Sequence, residues 1–392
     1  MQNFNYYAPT RVVFGKGAEN EVGKLIKEQN CKKVLVHYGG GSVIRSGLLD
    51  RVYTSLGAEG IAYTTLGGVV PNPRLSKVRE GIELCQREGV DFILAVGGGS
   101  VIDSSKAIGY GLTNEGDVWD FYAKKRTASA CLPIGTILTI SAAGSEMSDS
   151  SVITNEDGWI KRGYSSNYCR CKFAILNPEL TYTLPDYQAQ SGCVDIMMHT
   201  MERYLNHSTN MEMTDGISEA LIRTVMKNSR ILKQDPTNYE ARAEVMWAGS
   251  LSHNGLTGCG TDGGDWASHQ LEHELGGMFD VAHGAGLAAV WGSWARYVYK
   301  DRADRFAKLA ENVLMVSHDD NLEKTALAGI EAMEDYYRSV DMPTSLRELG
   351  IEPTEEQIQE LADKCSFQNT RTIGKVKVLN REDIAKIYRM AL

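Results

Sequence analysis

Phe92-Ile-Leu-Ala-Val-Gly-Gly-Gly-Ser-Val-Ile102 holds a strand, a turn and a helix start in direct succession. Phe92–Val96 is apolar, rich in β-formers and short, which suits a buried parallel strand. Gly97-Gly98-Gly99-Ser100 then lets the backbone come close to a ligand and adopt positive φ. A helix opening near Val101 turns its free N–H groups and positive dipole end toward an anion such as a pyrophosphate. The spacing is not GxGxxG, and the same turn also closes a βα corner that binds nothing.

The hexapeptide Gly-Gly-Gly-Ser-Val-Ile recurs at Gly39–Ile44, after the apolar run Val34–His37 and before a helical segment, Val43–Leu56. Two corners built alike are expected, at the carboxyl ends of strands, where open α/β sheets bind ligands. Further strands are predicted at Val12–Phe14, Ile61–Tyr63, Leu132–Thr139, Val152–Thr154 and Phe173–Leu176, and a helix at Leu75–Glu88. Strands alternating with helices predict a parallel sheet covered on both faces. After Pro185 no convincing strand remains, and Asp215–Lys233, Tyr239–Ser252, Ala303–Val316 and Leu322–Ser339 have helical periodicity. Two domains are therefore expected: a Rossmann-like α/β dinucleotide-binding domain over 1–184 and an all-α domain over 185–392. The active site is expected in the cleft between them.

Bulk properties narrow the class. The chain has 392 residues, 43% hydrophobic and 23% charged, the balance of a soluble globular protein of two domains. A net charge of −9 argues against nucleic acid or an anionic membrane as partner. No signal peptide and no membrane-length apolar run is seen, and eight scattered cysteines without CxxC read as reduced thiols. A cytoplasmic location is expected.

Histidines cluster in Asp265-Trp-Ala-Ser-His269-Gln-Leu-Glu-His273-Glu-Leu-Gly-Gly-Met-Phe-Asp-Val-Ala-His283-Gly284. His269 and His273 share a helix face. Gly276-Gly277 is expected to end that helix, so that His283 arrives from beyond a turn. Asp195 and His199 form a second i, i+4 pair. One carboxylate and several imidazoles suit a borderline divalent cation, which could polarise a carbonyl during hydride transfer. Which histidines are ligands is left open by the spacing. His37, His207, His253 and His318 lack such neighbours and read as ordinary. Met278, Phe279 and Trp266 could form an apolar substrate wall or simply core.

Four segments, in order, resemble the iron-containing (group III) alcohol dehydrogenases. Gly97-Gly-Gly-Ser-Val-Ile-Asp103-Ser-Ser-Lys106 resembles their GGGSxxDxxK, and Thr139-Ile-Ser-Ala-Ala-Gly-Ser-Glu146 their TTxGTGSE. Gly192-Cys-Val-Asp195-Ile-Met-Met-His199 is similar to their GxxDxxxH, and His269 through Gly284 to HxxxHxLGxxxxxxHG. The first glycine corner and Asp265–His269 look most like the butanol dehydrogenase and aldehyde reductase branch. The resemblance implies a dehydroquinate synthase-like architecture, with metal ligands Asp195, His199, His269 and His283. It leaves His273 beside the chemistry as a proton relay. It implies cofactor contacts at Gly39, Gly40, Gly41, Gly97, Gly98, Gly99, Ser100, Asp103, Thr139, Ser148 and Lys161, with Ala143 standing where many members have threonine. Iron(II) is the expected metal and zinc the alternative.

The region after the second strand has no carboxylate to repel a 2′-phosphate and carries Arg45, which leans toward NADP(H), with NAD(H) also admissible. The expected activity is NAD(P)H-dependent interconversion of small aldehydes and primary alcohols by a homodimer. A lyase of the same fold acting on a polyanionic sugar acid would need several Lys and Arg near the ligands. Arg203 is the nearest, and none lies between Asp265 and His283. A non-catalytic metal or nucleotide binder is the other alternative.

Overall fold

The computed structural model describes residues 1–392 and divides into two compact units, Ala8–Thr183 and Leu184–Leu392. The first seven residues, expected with the α/β domain, belong instead to the helical unit. There the Gln2 amide donates to the Gly260 carbonyl at 3.0 Å and the terminal ammonium to the Thr209 carbonyl at 2.6 Å.

In the α/β unit, β1 (Arg11–Phe14), β2 (Lys33–Tyr38), β3 (Ala62–Leu66), β4 (Phe92–Gly97), β5 (Ile134–Leu138) and β8 (Phe173–Leu176) form one sheet in the order β1-β8-β5-β4-β2-β3. Every pairing is parallel. β4 and β5 are buried along their whole length, as runs covered on both faces require. Helices α1 (Val22–Lys27), α2 (Ser42–Arg45), α3 (Leu48–Ala58), α4 (Leu75–Glu88), α5 (Gly99–Thr113) and α6 (Trp119–Tyr122) complete the unit. The segment Val152–Thr154, expected in the sheet, lies elsewhere. It belongs to β6 (Ser150–Asn155), which pairs antiparallel with β7 (Ile160–Ser165), a strand too polar to stand out in the sequence.

The two glycine corners are not alike. After β4, Gly98 is extended and opens the long helix α5. After β2, Gly41 opens only a single turn, because Gly47 adopts φ 66° and splits the predicted helix into α2 and α3.

The second unit is helical: α7 (Asp186–Tyr204), α8 (Glu212–Gln234), α9 (Tyr239–His253), α10 (Ala267–Phe279), α11 (His283–Val298), α12 (Ala303–Asn312), α13 (Leu322–Ser339), α14 (Glu355–Cys365) and α15 (Arg381–Met390). Contrary to expectation, Gly276-Gly277 does not end α10. Both glycines are buried inside the helix, which continues to Phe279 and stops where Asp280 takes φ 53°. Burial of Leu271 and Leu275 on the same helix outweighs the ~1 kcal/mol that each interior glycine costs. Met278 and Phe279 pack against the helical core. No helix is long and apolar enough to cross a membrane.

α7 and α11 meet backbone to backbone at one glycine. A Cβ on Gly284 would overlap the Ser191 carbonyl of α7 and stand 2.6 Å from its carbonyl carbon. Helix backbone cannot yield as a flexible side chain can. Gly284→Ala should therefore part α7 and α11 and destabilise the protein by ~1–3 kcal/mol or more, the usual range for overpacking; an unchanged melting temperature would show that the contact is not tight.

In the α/β unit His37 is fully buried on β2. Its Nδ1–H donates to the Leu66 carbonyl at 2.8 Å, and its Nε2 accepts from Ser104 Oγ at 2.9 Å. Burial lowers its pKa to about 4 from an ordinary 6.5. Between those values the unfolded chain binds a proton that the folded protein does not, so stability falls as pH drops through that window, by ~3 kcal/mol at its lower end. In urea unfolding of metal-free protein at pH 7 and pH 4.5, His37→Gln should flatten this decline; equal declines would show that His37 does not stay neutral.

Candidate metal centre

Asp195, His199 and Glu202 recur at i, i+4 and i+7 on α7 and so share one face. His269, Glu272 and His273, at i, i+3 and i+4, share a face of α10, and His283 is the first residue of α11. The Gly284 contact draws the start of α11 against α7. The result converges on one atom. Asp195 Oδ1 has His199 Nδ1 at 3.4 Å, His283 Nε2 at 3.5 Å and His269 Nε2 at 3.6 Å. Donors held ~2.1 Å from a tetrahedral ion stand ~3.4 Å apart, so the spacing is that of a ligand set.

Satisfaction of polar atoms gives the same answer. Asp195 Oδ1, His199 Nδ1 and His269 Nε2 are shielded from solvent and have no hydrogen-bond partner. Leaving such atoms unsatisfied is costly, and a cation among them would satisfy all three at once. The candidate ligand atoms of Asp195, His199 and His269 lie within 4.8 Å of one another. Burial, with His253 and His269 nearby, holds His199 well below its ordinary pKa, so it is a neutral lone-pair donor. Burial also opposes charge on His269, yet the carboxylates of Asp195 and Glu202 outweigh it and push its pKa up to about 9. The pocket thus draws positive charge, as a proton or as a divalent ion. The residues fit the metal that the sequence led us to expect.

One neighbour, His253, reads as ordinary in the sequence. The His253 ring meets the His199 ring edge-on, with centroids 4.0 Å apart. His253 ends α9, so no spacing along the chain links it to α7. Trp266 lies 5.3 Å from the His269 ring and 5.9 Å from that of His253. Of the three apolar residues considered for a substrate wall, Trp266 is the one beside this cluster. It sits at φ 64° just before α10, and its ring carries the Arg203 guanidinium at 4.5 Å. Arg203 also donates to the carbonyls of His199 (2.7 Å) and Ser252 (2.9 Å). His273 is half-buried, with its ring 5.9 Å from that of His283 and 6.5 Å from that of His269.

Asp265 anchors this segment. Its backbone N–H donates to the Glu202 carbonyl at 2.8 Å, and its carboxylate accepts from the amides of Ala267, Lys375 and Val376 at 3.0, 2.6 and 2.7 Å.

In the α/β unit, the corner after β4 is stripped of side chains. A Cβ on Gly97 would strike Val101, one on Gly98 would lie 3.0 Å from Ile140, and one on Gly99 would lie 2.9 Å from Ala143. The Thr139 amide donates to the Gly97 carbonyl at 3.0 Å, and Ser100 opens the helix. Asp103 and Ser148 brace this region from within. Asp103 accepts from Ser145 Oγ at 2.5 Å and the Val152 amide at 2.9 Å. Buried Lys106 donates to the carbonyls of Ser145, Ser148 and Ser150 at 2.7, 3.0 and 2.7 Å, and to Ser148 Oγ at 3.2 Å. Lys161 is buried on β7, opposite Thr154. In the other corner Gly39 accepts from the Gly68 amide at 2.9 Å, no atom would lie within 4 Å of a Cβ on Gly40, and Arg45 reaches back over Gly41.

The chain is similar to known proteins over its whole length. Residues 9–178 match the iron-containing alcohol dehydrogenase family, and residues 189–392 match the family's C-terminal region. The chain is 40% identical to a probable NADH-dependent butanol dehydrogenase 2 of Bacillus subtilis, with all of both chains covered. It is 31% identical to the NADPH-dependent aldehyde reductase YqhD of Escherichia coli, also over the whole of both. The crystal structure of NADH-dependent butanol dehydrogenase A from Thermotoga maritima superposes with a TM-score of 0.96 at 39% identity, covering 100% of this chain and 99% of that one. The chain belongs to the iron-containing alcohol dehydrogenase family.

Proposed function

We propose that this chain is a metal-dependent NAD(P)H oxidoreductase of butanol dehydrogenase or aldehyde reductase type, interconverting aldehydes and primary alcohols. The observation that carries the metal assignment is the convergence of three imidazole nitrogens on the unpartnered Asp195 Oδ1. Asp195, His199, His269 and His283 would hold the ion, iron(II) by preference and zinc as alternative, since an oxygen-and-imidazole set accepts either. A bound divalent ion supplies Lewis acidity toward a carbonyl oxygen.

The remaining roles belong to the chain. The bare Gly97-Gly98-Gly99-Ser100 corner and the start of α5 take the pyrophosphate, with Thr139 beside them. Gly39, Gly40 and Gly41 form the second cofactor contact, and Lys161 adds positive charge. Asp103 and Ser148 act by holding this loop in shape. Trp266 gives the substrate an apolar face, which suits a short hydrocarbon tail. His273 passes a proton to the product oxygen. Arg203 is committed to Trp266 and to two backbone carbonyls, which leaves little cationic surface for a polyanionic sugar acid and weighs against the lyase.

The first corner carries no carboxylate, and Arg45 lies beside Gly41, which supports use of NADP(H) with NAD(H) also accepted. Eight free cysteines support a reducing compartment, the cytoplasm. A homodimer acting on small molecules, without nucleic acid or membrane as partner, is the assembly we assign.

After reconstitution with iron(II) or zinc, the protein should oxidise NADPH in the presence of butanal. No turnover with any aldehyde would refute the activity. His269→Ala should lose bound metal and turnover together, by at least ~100-fold in rate; full activity without metal would refute the ligand assignment. Paired kinetics with both cofactors should show turnover with each, and an enzyme inert with NADPH would overturn the cofactor reading.

A further inference from the structure

The candidate ligands have a second layer whose residues no sequence motif singles out. Glu202, 2% exposed, lies on the same α7 face as Asp195 and His199. Its Oε1 accepts from His269 Nδ1 at 3.1 Å and also from the His269 backbone N–H at 3.0 Å. Glu272, fully buried on α10, meets His283 Nδ1 with its Oε2. A Cβ on Gly286 would lie 2.9 Å from Glu272 Cγ, so the bare backbone of α11 makes room for this carboxylate. In both histidines, therefore, Nδ1 faces a buried carboxylate while Nε2 faces Asp195 Oδ1.

The chemistry of that arrangement is specific. An imidazole whose Nδ1–H is held by a carboxylate has its lone pair on Nε2 and cannot rotate away. The carboxylate also makes the ring a stronger donor. Burying two carboxylates is unfavourable unless a charge is drawn to them, and each here reaches the candidate ion through one imidazole. Glu202 has a second duty. Trp266, at the N-cap of α10, gives no side-chain cap bond; Asp265 serves the Ala267 N–H, and the Glu202 carboxylate serves the His269 N–H of the same first turn from another helix.

We propose that Glu202 and Glu272 are positioning residues that fix the tautomer and direction of His269 and His283, and so set the affinity and ligand field of the metal centre. The proposal rests on the metal assignment above. Neither carboxylate is assigned contact with substrate or cofactor.

The test uses full-length protein, with zinc affinity read by chelator competition and the visible ligand-field bands read on the cobalt(II)-loaded form. Glu202→Ala and Glu272→Ala should each weaken zinc binding about 10–100-fold, the usual loss for such partners, and shift the cobalt bands. Glu202→Gln and Glu272→Gln retain an acceptor oxygen and should recover most of that loss. Glu202→Ala should in addition lower the melting temperature of the metal-free protein, because it removes the cap, whereas Glu202→Gln should not. Wild-type zinc affinity and unshifted bands in both alanine variants would overturn the inference and leave the metal assignment standing. Equal losses in Ala and Gln variants that track metal-free melting would also overturn it, showing a merely structural role. A wild-type protein that takes up no stoichiometric zinc or cobalt would overturn both.

Discussion

A carboxylate oxygen buried without a hydrogen-bond donor is among the least favourable things a protein can build, and the helical unit is arranged around one. Asp195 Oδ1 faces three imidazole nitrogens from three helices at 3.4–3.6 Å, too far to hydrogen-bond and close enough to share an ion. Everything near it serves that spacing. Glycine at 284 lets α11 touch α7, Asp265 ties the entry to α10 down through four hydrogen bonds, and buried carboxylates hold the imidazoles from behind. With no cation the buried polar atoms are left unsatisfied; a cation held among them would satisfy them. Sites that violate the ordinary rules of burial in this way are where function is expected.

The α/β unit solves a different problem, that of exposing backbone. Its corner after β4 is free of side chains because each of three successive glycines faces an atom that a Cβ would crowd. Around it the polar side chains point inward: Lys106 gathers carbonyls from Ser145, Ser148 and Ser150, and Asp103 ties the adjoining loop to β6. A loop braced this firmly offers a preorganised surface, so little ordering is needed when an anion arrives.

Much of this was legible in the chain. Runs such as Phe92–Val96 are buried on both faces and have no alternation, which marks them as parallel strands, and the abrupt loss of such runs after Pro185 marks the helical unit. The features that stayed hidden had physical reasons. The β6–β7 hairpin is half polar because one face is partly exposed. Gly276-Gly277 carries a helix-ending signature, but tertiary burial overrode it. His253 reaches His199 across a helix packing that no local spacing encodes. Glu202 is the exception. At i+7 from Asp195 and i+3 from His199 it was readable as a third polar residue on a face otherwise committed to a metal.

X-ray absorption at the zinc K-edge of the zinc-loaded full-length protein tests the metal centre most directly. Three imidazole nitrogens and a carboxylate oxygen as the protein donors bound to zinc, with no sulfur, are predicted. Sulfur scattering from any of the eight cysteines, or oxygen donors alone without imidazole scattering, would contradict it.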